Sequence, residues 1–350
     1  MVFLIVLFLC LQFVSCAKIS YIVEQGVGQL KLQNRARENS VVLKDPLVAS
    51  KSKKKIKLVQ EYKSYFYDYF EVKETSIYSK TTILEDSAVS YLVIVSKHDK
   101  IKAREECFPI AGCFPYLGFF KKASAIEYQK KMNKSGFVTY LRPVYAYSTL
   151  GYFEDTILSS FFYFNEKVLA ELIFHELFHT VFFIKDNVSL NENMANYIGR
   201  EMSYEYFKFD QKKRSELEEK EHQRNQLKKL IVDLVTELQG LYDKQKNLTM
   251  SQSTQILDSF LESSFRPKIK KLCDDLKIVG KKCYPLEKKW NNASFSAYLT
   301  YEEKEQVIHK LRNQYGFGIK ELFHFIKAKY AEYQNLDSDK KSFSDYLFSL

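Results

Sequence analysis

The sequence predicts an α+β fold, on three observations. Segments of strand character, "SYLVIVSK" (90–97) and "FVTYLRPVYAYSTLGYF" (137–153), lie in the first half of the chain. Residues 203–239 contain neither Gly nor Pro and are dense in Lys, Glu and Gln, as a long helix requires. Between them, "ELIFHELFHTVFF" (171–183) is almost wholly apolar yet carries three polar groups at helical spacing. Strands before and helices after form an α+β pattern rather than a regular β-α alternation. A chain of 350 residues that is 46% hydrophobic and 15% aromatic can build a substantial core, which argues against disorder.

The elements follow in order. "MVFLIVLFLCLQFVSC" is an apolar run of about 15 residues, short of the roughly 20 that a bilayer span needs, and it reads as a secretory signal peptide over 1–15 that lacks the usual basic start. It ends in Phe13-Val14-Ser15-Cys16. A small residue before Cys is similar to a bacterial lipobox, with Phe13 atypical at its first position. Cleavage there would leave a lipid on Cys16 and an exported protein anchored to the membrane of a bacterial cell envelope. An ordinary signal peptide cut nearby, or a retained anchor, are the competing readings. Residues 17–50 read as a short helix and a polar linker, so 16–60 forms an N-terminal segment. The formal charge is +10, but the lysines are scattered. The dense run "KSKKKIK" (51–57) reads as a solvated loop. It could meet anionic lipid or nucleic acid, but no nucleic-acid module accompanies it.

"LVQEYKSYFYDYFEV" (58–72) predicts an amphipathic helix, 90–97 a strand, and "CFPIAGCFPYLGFF" (107–120) a loop closed by Cys107 and Cys113 that leads into a strand. Residues 121–136 predict a helix ending near Gly136, 137–153 a strand with an extended edge, and 166–185 the helix of the polar stripe. Leu227, Ile231, Leu234, Leu238 and Leu241 form a coiled-coil-like seam, which predicts an antiparallel hairpin with 252–276. Further helices fit 301–315 and 318–331. The chain thus divides into a core over 61–202 and a helical domain over 203–350. Of six Cys, Cys10 would leave with the signal and Cys16 would carry lipid. Cys107 with Cys113, and Cys273 with Cys283, are two close pairs that suggest disulfides in an exported protein. Free thiols or a second zinc site remain alternatives, although neither pair has the C-x₂-C spacing.

The polar stripe carries the chemistry. His175 and His179 are one helical turn apart on one face, with Glu176 beside them. Phe174, Leu177, Phe178, Val181 and Phe182 occupy the other faces, so the helix should be buried. A buried imidazole without a partner costs roughly 1–3 kcal/mol. Two of them at ligand spacing suit one Zn²⁺, with Glu176 as the base that deprotonates the metal-bound water. The alternative is two ordinary core histidines. A catalytic zinc needs a third protein ligand and an open position. "SLNENMANYIGR" (189–200) offers Glu192, 13 residues past His179 on a helix that "KDN" lets fold back. Asp186 and Glu201 are rival ligands.

HExxH followed by NExxA resembles the gluzincin metallopeptidases, which hold zinc with two His and a Glu. More closely, the chain resembles the bacterial putative aminopeptidase family of lipoprotein-like proteins. The resemblance runs through "CFPIAGCFPYLGFF", "AYSTLGYFEDTILSS", "LIFHELFHTVFF", "LNENMANYIG" and, more loosely, "WNNASFSAYLTY". It implies a zincin-like core with a small mixed sheet and active-site helices. It also implies zinc on His175, His179 and Glu192, Glu176 as general base, and a peptide substrate. The GxMEN motif of well-known gluzincin aminopeptidases is absent. Glu154 and Asp155 could recognise a free amino group, or could be loop charges. "VYAYSTLGYF" is placed as the edge strand beside a substrate, and Tyr147 and Tyr152 are candidates for oxyanion or substrate contacts. Asn196 falls where some gluzincins place an acid that orients a ligand. The leading function is a zinc metallopeptidase of the cell envelope. A zinc-containing binding or structural lipoprotein, and a hydrolase of non-peptide bonds, are the competing readings.

Overall fold

Residues 20–108, 112–146, 154–184, 187–299, 305–335 and 342–349 are described by a computed structural model. The chain opens with α1 (20–34), then β1 (Arg37–Glu38), α2 (Asn39–Lys44), α3 (Ser50–Phe70), β2 (Lys80–Thr82) and β3 (Ser90–Lys97). A hairpin of β4 (Glu106–Phe108) and β5 (Gly112–Phe114) precedes β6 (Leu117–Phe119), α4 (Lys122–Lys134) and β7 (Phe137–Val144). After β8 (Ile157–Leu158) come α5 (Glu166–Val181), α6 (Val188–Tyr206) and the long α7 (Gln211–Asp243). The rest is helical: α8 (Met250–Phe260), α9 (Arg266–Asp275), α10 (Tyr284–Glu287), α11 (Asn292–Leu299), α12 (Glu305–Tyr315), α13 (Ile319–Gln334) and α14 (Phe343–Phe348). The class is a mostly helical α+β fold with small sheets.

Two units result, each built from three separated segments, whereas the sequence reading cuts the chain into consecutive blocks. One unit takes Met1–Lys31, Ala88–Val144 and Ser215–Thr300. Its sheet is antiparallel throughout, in the order β6-β3-β7. The run "YLVIV" in β3 is continuous rather than alternating because both of its faces are covered. Tyr91, Val93 and Val95 pack with Ala125 and Met132 of α4, while Ser96 meets Ser296 of α11 at 3.1 Å. In the same unit Leu227, Ile231, Leu234, Val235 and Leu238 of α7 share a core with Phe260, Phe265 and Ile269. The helices run antiparallel: Lys268 pairs with Glu237 at 2.7 Å, and Gln223 reaches the Leu276 carbonyl at 3.4 Å. One disulfide, Cys273–Cys283, is buried in this core. The other, Cys107–Cys113, joins directly opposed positions of β4 and β5 with Cα atoms 3.9 Å apart.

The second unit takes Leu32–Ser87, Tyr145–Arg214 and Tyr301–Leu350. Its sheet is short and mixed: β2 pairs antiparallel with β1 and parallel with β8. Two local readings of the sequence are corrected here. Residues 36–50 are not a linker, because β1 and α2 occupy them and Val42 is buried. "KSKKKIK" is not a loop but the first turns of α3. Lysine is a good helix former. The run also finds internal partners: Lys54 pairs with Glu166 at 2.7 Å, and Lys55, its stem buried, donates to the Phe164 carbonyl at 2.6 Å. Helix α7 also starts later than residue 203. Residues 203–206 finish α6, and the chain turns through Lys208 in the left-handed region (φ 50°) before α7 begins.

Candidate metal centre

Helix α5 starts at a conventional cap, the Asn165 side chain accepting from the Val168 N–H at 2.9 Å. Its aromatic residues then fix its rotation. Phe174 meets Tyr62 of α3 at 5.9 Å between ring centroids, and Phe178 meets Phe323 of α13 at 5.8 Å. The stripe left over carries His175 and His179, and α6 runs back along it. Two residues make that return possible. Asn191, fully buried, closes the connection by accepting from the Ile184 N–H (2.9 Å) and donating to the Ile184 carbonyl (2.7 Å). At Gly199 a Cβ would sit 2.7 Å from the Glu171 carbonyl oxygen and 3.1 Å from the His175 nitrogen. Only glycine lets the helices approach so closely at the level of His175.

The result is a cluster of three donors. The Nε2 atoms of His175 and His179 lie 3.1 Å apart. The carboxylate of Glu192 reaches them at 3.5 Å (Oε2 to His175) and 3.4 Å (Oε1 to His179). A tetrahedral ion with bonds of about 2.0–2.1 Å holds its ligand atoms about 3.3–3.4 Å apart. The observed separations lie near that value, although each imidazole faces a different oxygen of Glu192, and two imidazoles with a carboxylate are a zinc donor set. No other contact in the described residues accounts for His179, whose buried Nδ1 has no hydrogen-bond partner there. Among the described residues, one further trio, Glu105 with Cys107 and Cys113, has comparable convergence, but its sulfurs are spent in a disulfide.

Electrostatics holds His179 and Glu192 in ligand form and biases His175 toward its protonated form, a proton that a bound ion would have to displace. Burial, then the neighbouring His175, push the pKa of His179 down to about 4, so it is neutral at physiological pH. For His175 burial pulls the other way but is outweighed. The hydrogen bond it donates to Glu192 and the charges of Glu176 and Glu192 hold its pKa above the usual value. Glu192 is raised by burial and lowered more strongly by its hydrogen bond to His175 and the two imidazoles, ending below the usual carboxylate range.

The family model described as Putative aminopeptidase matches residues 20–342, most of the chain. The chain belongs to that family. No curated protein and no solved structure matches it.

In this member of the family described as Putative aminopeptidase, Glu176 is buried on α5 beside the donors but outside the trio. Asn196, one turn beyond Glu192, hydrogen-bonds His175. The rival carboxylates part company with the site. Glu201 is held by Arg312 of α12 at 2.8 Å, and Asp186 lies outside the described residues, as do Tyr147, Tyr152 and Cys16. Glu154 is an exposed charge bonded to the Ser76 hydroxyl at 2.6 Å and close to Lys80. The backbone carbonyl of Asp155 accepts from the Tyr78 N–H at 2.8 Å.

Sequence reasoning misses three residues. Asn191 and Gly199 set the geometry of α6. Tyr78 is buried with its backbone in the left-handed region (φ 60°), where a tyrosine is rare. Burial, then the charge of Glu176, raise its phenol well above the ordinary pKa, so it stays protonated. The adjacency of His, Glu and Asn in the two motifs signals the ligands. Nothing in the string around Tyr78 marks it.

Proposed function

We propose that the protein is a zinc-dependent metallopeptidase of the cell envelope with a zincin-like centre on α5 and α6. The observation that carries the reading is the convergence of His175, His179 and Glu192 at close to tetrahedral-edge spacing, with a second carboxylate, Glu176, buried beside them and not needed as a ligand. A structural site uses four protein ligands and no base; three ligands and a base suit hydrolysis. Zinc held by these residues would supply Lewis acidity, lowering the pKa of a water and polarising a peptide carbonyl.

The remaining work falls to the chain. His175, His179 and Glu192 bind, and Asn196 orients His175. Glu176 takes the proton of the attacking water and returns it to the leaving amine as the C–N bond breaks. The family description supports an aminopeptidase. Export by the apolar leader, with Cys16 as lipid anchor, is the localisation that accompanies this reading. The test is metal content and peptide hydrolysis measured on the same preparation. About one zinc per chain, with hydrolysis abolished by chelation and restored by zinc, supports the proposal. Zinc bound with no turnover against a broad peptide library rejects it.

A further inference from the structure

A surface helix normally turns its apolar stripe inward and its polar residues to water. Helix α1 turns Tyr21 and Leu32 inward but is apolar on its outward face as well. Its orientation is set by Tyr21, whose hydroxyl donates to the Gly118 carbonyl at 2.8 Å and whose ring stacks on Phe108. Gly28 fixes the same face, since a Cβ there would collide with the Phe120 ring. Glu24 and Gln25 also turn inward, and their Oε1 and Nε2 atoms are buried with no hydrogen-bond partner among the described residues. The outward face runs through Ile22, Val23, Gly26, Val27, Leu30 and Lys31. Its four large apolar side chains are 44–58% exposed, and no acidic residue falls on it.

The neighbouring sequence says what covers this face. Residues 1–15 are the most apolar stretch of the chain, and only residues 16–19 separate them from α1. Retained, or exchanged for a lipid on Cys16, that stretch would hold α1 at a bilayer surface. The one charge on the outward face, Lys31, suits an anionic headgroup. Among the described residues no helix is long and apolar enough to cross a membrane, so α1 is suited to lying in the interface rather than spanning it.

We propose that α1 is an interfacial membrane helix, with Ile22, Val23, Val27 and Leu30 in the headgroup–acyl boundary and Lys31 among anionic headgroups. An apolar helix face buried in lipid adds its own buried area to whatever anchor the leader supplies. The proposal is independent of peptidase activity.

The test places a genetically encoded, environment-sensitive fluorescent residue in the full chain, at Val27 or, as control, at the exposed Lys212 of α7. The chain is bound to vesicles of phosphatidylcholine and phosphatidylglycerol, with and without brominated acyl chains. Emission at position 27 should shift to the blue and be quenched several-fold more than at position 212. Val23→Ser with Leu30→Ser should remove that difference while circular dichroism stays unchanged. Equal quenching at the two positions would overturn the proposal. So would a blue shift without vesicles: one that grows with protein concentration assigns the face to a second copy, and one that persists on dilution assigns it to the chain's own leader.

Discussion

Glu176 and Glu192 are both acidic and both near two imidazoles, yet their positions assign them different work. Glu192 lies within 3.5 Å of both Nε2 atoms, while Glu176 does not join the trio. Glu176→Gln should therefore keep its metal and lose at least ~10²-fold in turnover. Glu192→Ala, His175→Ala and His179→Ala should instead lose metal, and with it activity. Zinc analysis and peptide hydrolysis on the same samples separate the two classes, and metal loss in Glu176→Gln would reverse the assignment. Gly199 offers a sharper test of geometry, because it touches backbone and no metal ligand's donor atom. Gly199→Ala forces α6 away from the Glu171 carbonyl and the His175 nitrogen. Overpacking of this kind costs roughly 1–3 kcal/mol. The variant should show a lower Tm and weaker zinc binding together, read by thermal unfolding and competitive chelation.

At the scale of elements, the candidate metal centre depends on the chain reversing between α5 and α6, and Asn191 closes that reversal. Its side chain satisfies both polar groups of Ile184 in a buried setting. Asn191→Ala removes the partner of the Ile184 N–H and leaves its carbonyl with the Asn187 N–H at 3.3 Å, and an unpaired buried donor costs about 1–3 kcal/mol. Zinc affinity should drop although Asn191 is not a ligand; a variant with unchanged affinity would show that α6 is placed by other contacts. The sequence announces α5 and α6 themselves. The His175–Glu176–His179 spacing works only on a helix, and Glu192 follows a turn. It does not announce the reversal, because an Asn beside a ligand Glu looks like any polar residue near a helix start. Strand β3 was legible because its apolar run matches a strand covered on both sides, whereas "KSKKKIK" misled because charge density says nothing about backbone. Lys55 folds its stem inward and reaches a carbonyl, which no periodicity records.

At the scale of the whole molecule, His175, His179 and Glu192 belong to one unit and both disulfides to the other. Linear reading could not see this, because each unit gathers segments that composition and spacing treat as remote; β3 and α11 are nearly 200 residues apart in sequence yet share a buried Ser96–Ser296 contact. The consequence is that two perturbations should read out in different places. Cys273–Cys283 closes a separation of 10 residues inside a buried core, and removing such a crosslink costs about 3 kcal/mol. The Cys273→Ser, Cys283→Ser double variant should speed amide exchange in α7, α8, α9 and α11. Zinc removal withdraws a ligand that stabilises its own site, by about 4 kcal/mol when free metal stands at 1,000 times Kd, and should speed exchange in α5 and α6. Cys107–Cys113 is exposed, so mild reductant with alkylation should label it first, while the buried pair should need denaturant, since exchange requires thiolate access. Hydrogen-exchange mass spectrometry on the two perturbed samples decides the matter. If chelation loosens α7 and α8 and leaves α5 and α6 unchanged, zinc is not held by the HExxH helix, and the assignment of the metal to His175, His179 and Glu192 fails.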